Sequence, residues 1–373
     1  MLSSTLDILR IRQYFNAVTA ARTFAAGVRD DAHFLDSVRH ALLPLPVDSW
    51  GTEERRPFDH LPRVQAGAAQ RRHWGRTAVV ASGGSGALAS IVGVARALEE
   101  ARIEPCAYSL CSGSALFGFP LATGRGAEEV AEFVLGLRMD ECSDVDWPAV
   151  ATLLPRLARG FTGLLRGEKL EALYRQWLGD VTLGELPIPA FAPVWNVEHN
   201  TVEYIGPDTH PHLPVARAVH MAVALPLFFE TVPLGRDHYY DGGTVDILPV
   251  TPVLAMSSPP DSVVAVNSFY PHEFHGEDVR GWTGRRGSIF LAAGQVKTCQ
   301  HIELARRNLA LLRREVAHVE LLEPVAYATV KGIGLYAQFL DTRRWPDFMR
   351  AGHRAMGRAL QSQSHARAHA HAA

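Results

Sequence analysis

Between Thr77 and Gly124 the sequence passes twice from a strand-like pattern to a helix-like one. A short apolar, β-branched run, "TAVVAS", ends in the glycine turn "GGSG". A helix-patterned stretch follows, "ALASIVGVARALEEA", with Ile91, Val94 and Leu98 on one face. Then comes a second strand-like run, "CAYSLC", and a second helix-like one, "GSALFGFPLATG". Parallel strands need a long crossover between them, and a helix is its usual form. The repeat therefore predicts an α/β fold, a mostly parallel central sheet sandwiched by helices. Strands are expected again at "FAPVWNVE", "TVEYIG", "HYYDGG" and "SVVAVNSF", and helices over about 125–180 and 288–360.

The flanks read differently. Up to about residue 45, Leu2, Leu6 and Leu9, with Ile8, Ile11, Phe15 and Val18, fall at helical spacings. A charged, proline-punctuated stretch follows, so 1–75 is expected to be a helical extension and linker. Residues 76–275 form the α/β domain, and 276–360 a helical segment packing on or covering it. The tail 361–373, "QSQSHARAHAHAA", has no apolar periodicity and is expected to be disordered.

Composition removes several classes. With 47% hydrophobic and 20% charged residues the chain can bury a substantial core. Its net charge of −2 and lack of a basic block argue against nucleic acid as a partner. Cys106, Cys111, Cys142 and Cys299 match neither a zinc pattern nor a disulfide framework, which suits a cytoplasmic setting. No apolar run reaches the ~18 residues of a membrane span. The first helix, with Arg10, Arg12 and Arg22 near its apolar stripe, leaves several options open. It suits peripheral contact with an anionic membrane, a transit segment, or packing on the domain or on a second copy of the chain.

Two turns and one acid carry the chemistry. A glycine turn at the start of a helix leaves backbone N–H groups unpaired at its positive end. "SGGSGA" therefore suits either a phosphate or the oxyanion of an acyl intermediate, although neither a dinucleotide fingerprint nor a P-loop is met. "SLCSGSALFG" puts Ser112 and Ser114 around Gly113 where a strand enters a helix, without the G-x-S-x-G of a nucleophile elbow. "YYDGGTVDILPV" reads by itself as an ordinary Asp-Gly-Gly turn at Asp241, with Asp246 a turn or surface residue.

Together these stretches resemble the patatin-like phospholipase family. Ser82, Gly83 and Gly84, then Gly93, Val94, Leu98, Glu99 and Glu100, match its S-G-G-G-x-R/K-G opening and the following helix. In a common family pattern the nucleophilic serine stands about 29 positions after the first glycine, the spacing from Gly83 to Ser112. "WLGDVTLGELPIPAFAPVWN", "ARAVHMAVALPLFFETV" and "YYDGGTVDILPV" are similar to three further family blocks, so the likeness runs over roughly 76–268.

The resemblance implies a lipolytic acyl hydrolase acting on phospholipid, acylglycerol or another apolar ester. It implies a Ser112–Asp241 dyad, an oxyanion hole from Gly83, Gly84, Ser85 and Gly86, and support from Gly113, Ser114, Gly242 and Gly243. An acyl-serine reaction requires neither metal nor organic cofactor. Ser114 breaks the count, Cys111 is expected to pack as a small buried side chain, and His220, inside a family block, remains a possible base. Ser85, Ala87, Leu88, Leu110 and Ile247 stand where the family has glycine, a basic residue, glycine, glycine and asparagine. These departures keep a second reading open, a catalytically weakened protein acting as an acyl-binding or scaffold module.

Overall fold

The computed structural model describes residues 56–137, 139–142, 144–145, 161–268, 288–326 and 342–370. The expected N-terminal helices lie outside them. β1 (Thr77–Ala81) and β2 (Pro105–Leu110) are joined through α2 (Ser90–Ala101), which follows α1 (Ala68–Trp74) in the chain. α3 (Ala115–Ala122) and α4 (Ala127–Gly136) follow β2. Next come β3 (Gly163–Leu165), α5 (Glu168–Leu178), β4 (Ala190–Asn196), β5 (Thr201–Ile205) and α6 (Val215–Val223). β6 (Leu227–Phe229), β7 (Val232–Leu234), β8 (Asp237–Asp241) and β9 (Ser262–Val266) precede α7 (Ser288–Glu315), β10 (His318–Leu322) and α8 (Trp345–Ala370).

The main sheet runs β10-β9-β1-β2-β4-β8-β7, with β5 also paired to β4. The pairs from β10 to β4 are parallel, whereas β5, β8 and β7 join antiparallel. β1 is buried along its whole length because both faces of the sheet are covered. Side chains alternate across a strand, so Val79 and Ala81 enter one core with α2, α3, α6 and α8. Ala78 and Val80 enter the other with Ala305, Leu309 and Leu312 of α7 and with Val316 just beyond it.

Three expectations about the flanks need correction. The stretch taken as a linker is packed: Phe58, Val64 and Ala66 are buried, and Val64 N–H donates to Glu100 Oε2 at 2.8 Å. The C-terminal segment is not only helical, since β10 extends the sheet beside β9, with His318 opposite Ser262. Nor is the tail irregular over its described part, because α8 continues to Ala370. α8 also crosses α2 at very short range. A methyl group on Gly93 would overlap the Met349 carbonyl, and one on Gly352 the Ser90 carbonyl. Among the described residues, no helix is long and apolar enough to cross a membrane.

Candidate active site

Strand register brings the three loops together. Ser109 of β2 pairs with Phe191, and Val194, three residues further along β4, pairs with Asp241. Ser112, three residues beyond Ser109, therefore falls level with Asp241.

The glycine turn leaves β1 with two bonds already made. Ser82 N–H donates to Val266 O at 2.9 Å and Gly83 N–H to Ile247 O at 2.8 Å. Gly83 thus has no N–H to offer an oxyanion, which corrects the expected hole by one donor. Its role is steric. A methyl group there would sit 2.6 Å from Ile247 Cδ1 and 2.9 Å from Cys111 Sγ. Gly84 adopts φ +148°, a region that glycine occupies without strain. The N–H groups of Gly84, Ser85 and Gly86 have no acceptor among the described residues. Ser85 Oγ is also buried and unpartnered there. Ala87 and Leu88, standing for a basic residue and a glycine, are fully buried in the core.

Ser112 has φ +52°, a left-handed conformation that a residue with a side chain adopts only under constraint. The constraint comes from both sides. Cys111 N–H donates to Ala81 O at 3.2 Å and to Ser114 Oγ at 2.7 Å, while Ser114 Oγ–H donates back to Cys111 O at 2.8 Å. Ser114 is fully buried and its hydroxyl is occupied in closing the turn, which removes it as an alternative nucleophile. A methyl group on Gly113 would overlap the Gly84 carbonyl, so the serine and glycine turns meet backbone to backbone. Leu110 is accommodated because its side chain lies over Gly118, where any Cβ would clash with it. Ser112 itself stays half-buried between buried neighbours.

Asp241 ends β8 with its N–H on Ala224 O at 2.9 Å. Its carboxylate accepts from Gly243 N–H at 2.7 Å. Burial strips the carboxylate of water and pushes its pKa up to about 6, the nearby Ser112 hydroxyl and the Gly243 N–H opposing that rise only in part. Gly242 and Gly243 permit the approach. A side chain on the first would come 2.7 Å from Val194 N, and one on the second 2.8 Å from Cys111 Sγ and 3.4 Å from Ser112 Cβ.

Asp246 is buried, not at the surface as its turn sequence suggested. It accepts from Tyr204 Oη–H at 2.6 Å and from Asn308 Nδ2–H at 2.8 Å, and burial raises its pKa. Cys111 is buried beside it, with Sγ donating to Asp246 O at 3.4 Å, and burial pushes that thiol well above its usual pKa. Tyr204 and Asn308 were missed. The available signal was a polar pair, His301 and Asn308, on the helix face that also carries Ala305 and Leu312.

His220 is not brought to Ser112 by any bond. Its Nδ1 lies 3.0 Å from Glu171 Oε2 and its buried Nε2 has no partner among the described residues. Burial raises the Glu171 pKa, but the His220 and Arg217 hydrogen bonds outweigh that and hold it down to about 2. The four cysteines form no disulfide, and no group of three metal-ligating side chains converges among the described residues.

The glycine turn after β1, the Ser112 turn after β2 and the acid-bearing loop after β8 thus meet at the ends of their strands. Residues 79–254 match the family model described as patatin-like phospholipase. Among solved structures the chain is similar to VipD from Legionella pneumophila. The TM-score is 0.42 and the identity 15%, over 78% of this chain and 67% of that one. It is similar also to human GIVD cytosolic phospholipase A2 in complex with methyl gamma-linolenyl fluorophosphonate. There the TM-score is 0.41 and the identity 10%, over 91% of this chain and 63% of that one. No curated protein sequence matches the chain.

Proposed function

We propose that the protein hydrolyses carboxylic esters of lipid-like substrates through an acyl-serine intermediate, with Ser112 as nucleophile and Asp241 as general base. The observation that carries this reading is a serine held at φ +52° beside the Asp241 loop, whose buried carboxylate has its pKa raised to about 6. An ordinary aspartate near ~4 is too weak a base for a serine hydroxyl, and desolvation brings it closer to the working range.

In the first half-reaction Asp241 takes the hydroxyl proton as Ser112 Oγ bonds to the ester carbonyl carbon. The carbonyl oxygen becomes an oxyanion held by N–H groups of Gly84, Ser85 and Gly86, each such donor being worth roughly 3–4 kcal/mol. Collapse breaks the ester C–O bond, and the leaving alcohol takes the proton from Asp241. Water then repeats the sequence on the acyl-serine, giving a carboxylic acid and free Ser112. No step calls for a metal or an organic cofactor.

The departures that favour a non-catalytic lipid-binding module are absorbed by packing. Ala87 and Leu88 sit in the core and Leu110 in the space over Gly118. Labelling with an active-site-directed alkyl fluorophosphonate, followed by mass spectrometry of the modified peptide, decides between the readings. Modification of Ser112 is expected; a folded protein that takes no label is a binding module.

A further inference from the structure

The acid loop is held from outside the family-matched segment. Three acceptors between Thr244 and Leu248 point at one face of α7. His301 Nε2 lies 3.0 Å from Thr244 O, and a carbonyl only accepts, so this nitrogen carries the proton. Seven residues on, two helical turns along the same face, Asn308 Nδ2 donates to Asp246 Oδ1 at 2.8 Å and to Leu248 O at 2.7 Å. The second Asp246 oxygen is taken by Tyr204, from β5 on the opposite flank, at 2.6 Å. The loop is closed internally as well, since the N–H groups of both Val245 and Asp246 donate to Gly242 O at 2.9 Å. Gly242 is the residue next to Asp241. A bond made by α7 on Asp246 is thus one short step from the base.

We propose that Asn308, assisted by His301 and by Tyr204, is a positioning residue for Asp241: it pins the loop so that the carboxylate meets the Ser112 hydroxyl. The inference rests on the hydrolase reading above and deepens it. The physical argument is one of satisfaction. A buried carboxylate deprived of one of two donors draws in water or moves toward it, and a carbonyl released with it does the same. Either response lets the loop drift from β4, and a displacement of the order of 1 Å at a catalytic group can lower a rate by about a hundredfold. Asn308 touches neither substrate nor reacting atoms, so its effect must run through loop position.

The test uses the full-length protein and two readouts, the rate of Ser112 labelling by an alkyl fluorophosphonate and amide hydrogen exchange over residues 241–248. Asn308→Ala is expected to label roughly tenfold or more slowly and to exchange faster in that loop. With a short-chain nitrophenyl ester its kcat should fall while KM stays close to the parent's. Asn308→Gln, which keeps the amide, should recover part of the rate. Arg307→Ala, on the exposed side of the same helix, should change none of these. If Asn308→Ala fails to fold, Tyr204→Phe decides by the same two readouts, because it removes the other donor to Asp246. Slower labelling with unchanged exchange, or faster exchange with unchanged labelling, overturns the proposal. A parent protein that takes no label sinks the hydrolase reading and this one with it. A labelled parent whose variants label equally fast sinks this one alone.

Discussion

In the glycine turn the N–H groups of Gly84, Ser85 and Gly86, and the hydroxyl of Ser85, have no acceptor among the described residues. In the acid loop Asp241, Thr244, Asp246 and Leu248 all have partners, drawn from Gly243, His301, Tyr204 and Asn308. Both loops face Ser112, the glycine turn buried throughout and the acid loop buried except at Thr244 and Val245. An unpaired buried polar group costs about 1–3 kcal/mol, so a turn that carries several is stable only against strong packing, or with a ligand present. The contrast divides the site into one side whose donors meet no protein acceptor among the described residues and one side whose polar groups are paired. Donors for a charge that appears during reaction belong on the first side. A base that must already be aimed belongs on the second.

Removing the chemical groups should give the largest effects. Ser112→Ala and Asp241→Asn are expected to lower ester turnover by ~10³-fold or more while circular dichroism and melting show a folded protein. Substantial activity in Ser112→Ala would end the comparison at once.

The contact between the two turns comes next. Gly113→Ala forces a methyl group into the Gly84 carbonyl, and should cost about 2–4 kcal/mol in denaturant unfolding as well as activity. A neutral result would mean that the turns do not meet as described.

The charge on Asp241 should appear twice in pH dependence. As a base it must be ionised, so kcat/KM is expected to climb about tenfold per pH unit below about 6 and to level off above. Its folded pKa lies above the ordinary 3.8, so its contribution to stability is fully present below 3.8 and is lost as pH rises through about 6. Asp241→Asn should therefore be more stable than the parent at pH 7, by at most on the order of 3 kcal/mol, with the difference shrinking toward pH 4. A difference that is constant with pH would place the raised pKa in doubt.

The smallest effect tests the unfinished side. Ser85→Ala removes a buried hydroxyl with no protein partner, so the melting temperature should stay level or rise. If the hydroxyl or its turn serves the oxyanion, kcat/KM should fall roughly tenfold, about 1.4 kcal/mol of transition-state binding. A lowered melting temperature would show that Ser85 is structural.

Much of this architecture was legible because β1, α2, β2 and α3 each obey one period without interruption. Short buried runs such as "TAVVA" admit little but a central strand, and the glycines after them mark the turn. β10 escaped notice for the opposite reason. Val316, Val319 and Leu322 continue the helical spacing of α7, and its residues are mostly half-buried, so no alternation betrays the strand. The helix through Ala370 was hidden by its polarity. Alanine and arginine favour helix even where no apolar stripe exists. At the site, Ser112, Asp241 and the glycines were marked through the family resemblance, whereas the loss of the Gly83 N–H could not be foreseen. That loss depends on where Ile247 O lies, a contact between distant segments. Asn308 is further still in sequence, on a helix whose polar positions look like any solvated face until the loop is laid against it.

The close crossing of Gly93 and Gly352 has a consequence in time. α2 starts at the glycine turn, and its axis is set against α8, which follows Asp241 by about a hundred residues in the chain. At ordinary rates of synthesis, roughly a hundred residues separate the appearance of Asp241 from that of Gly352, about 5–20 s. Throughout that interval a growing chain carries the serine and the aspartate but lacks the helix that aligns the anion-facing turn. On the proposed function, the nucleophile and the base are thus synthesised well before the helix that sets the glycine turn against them.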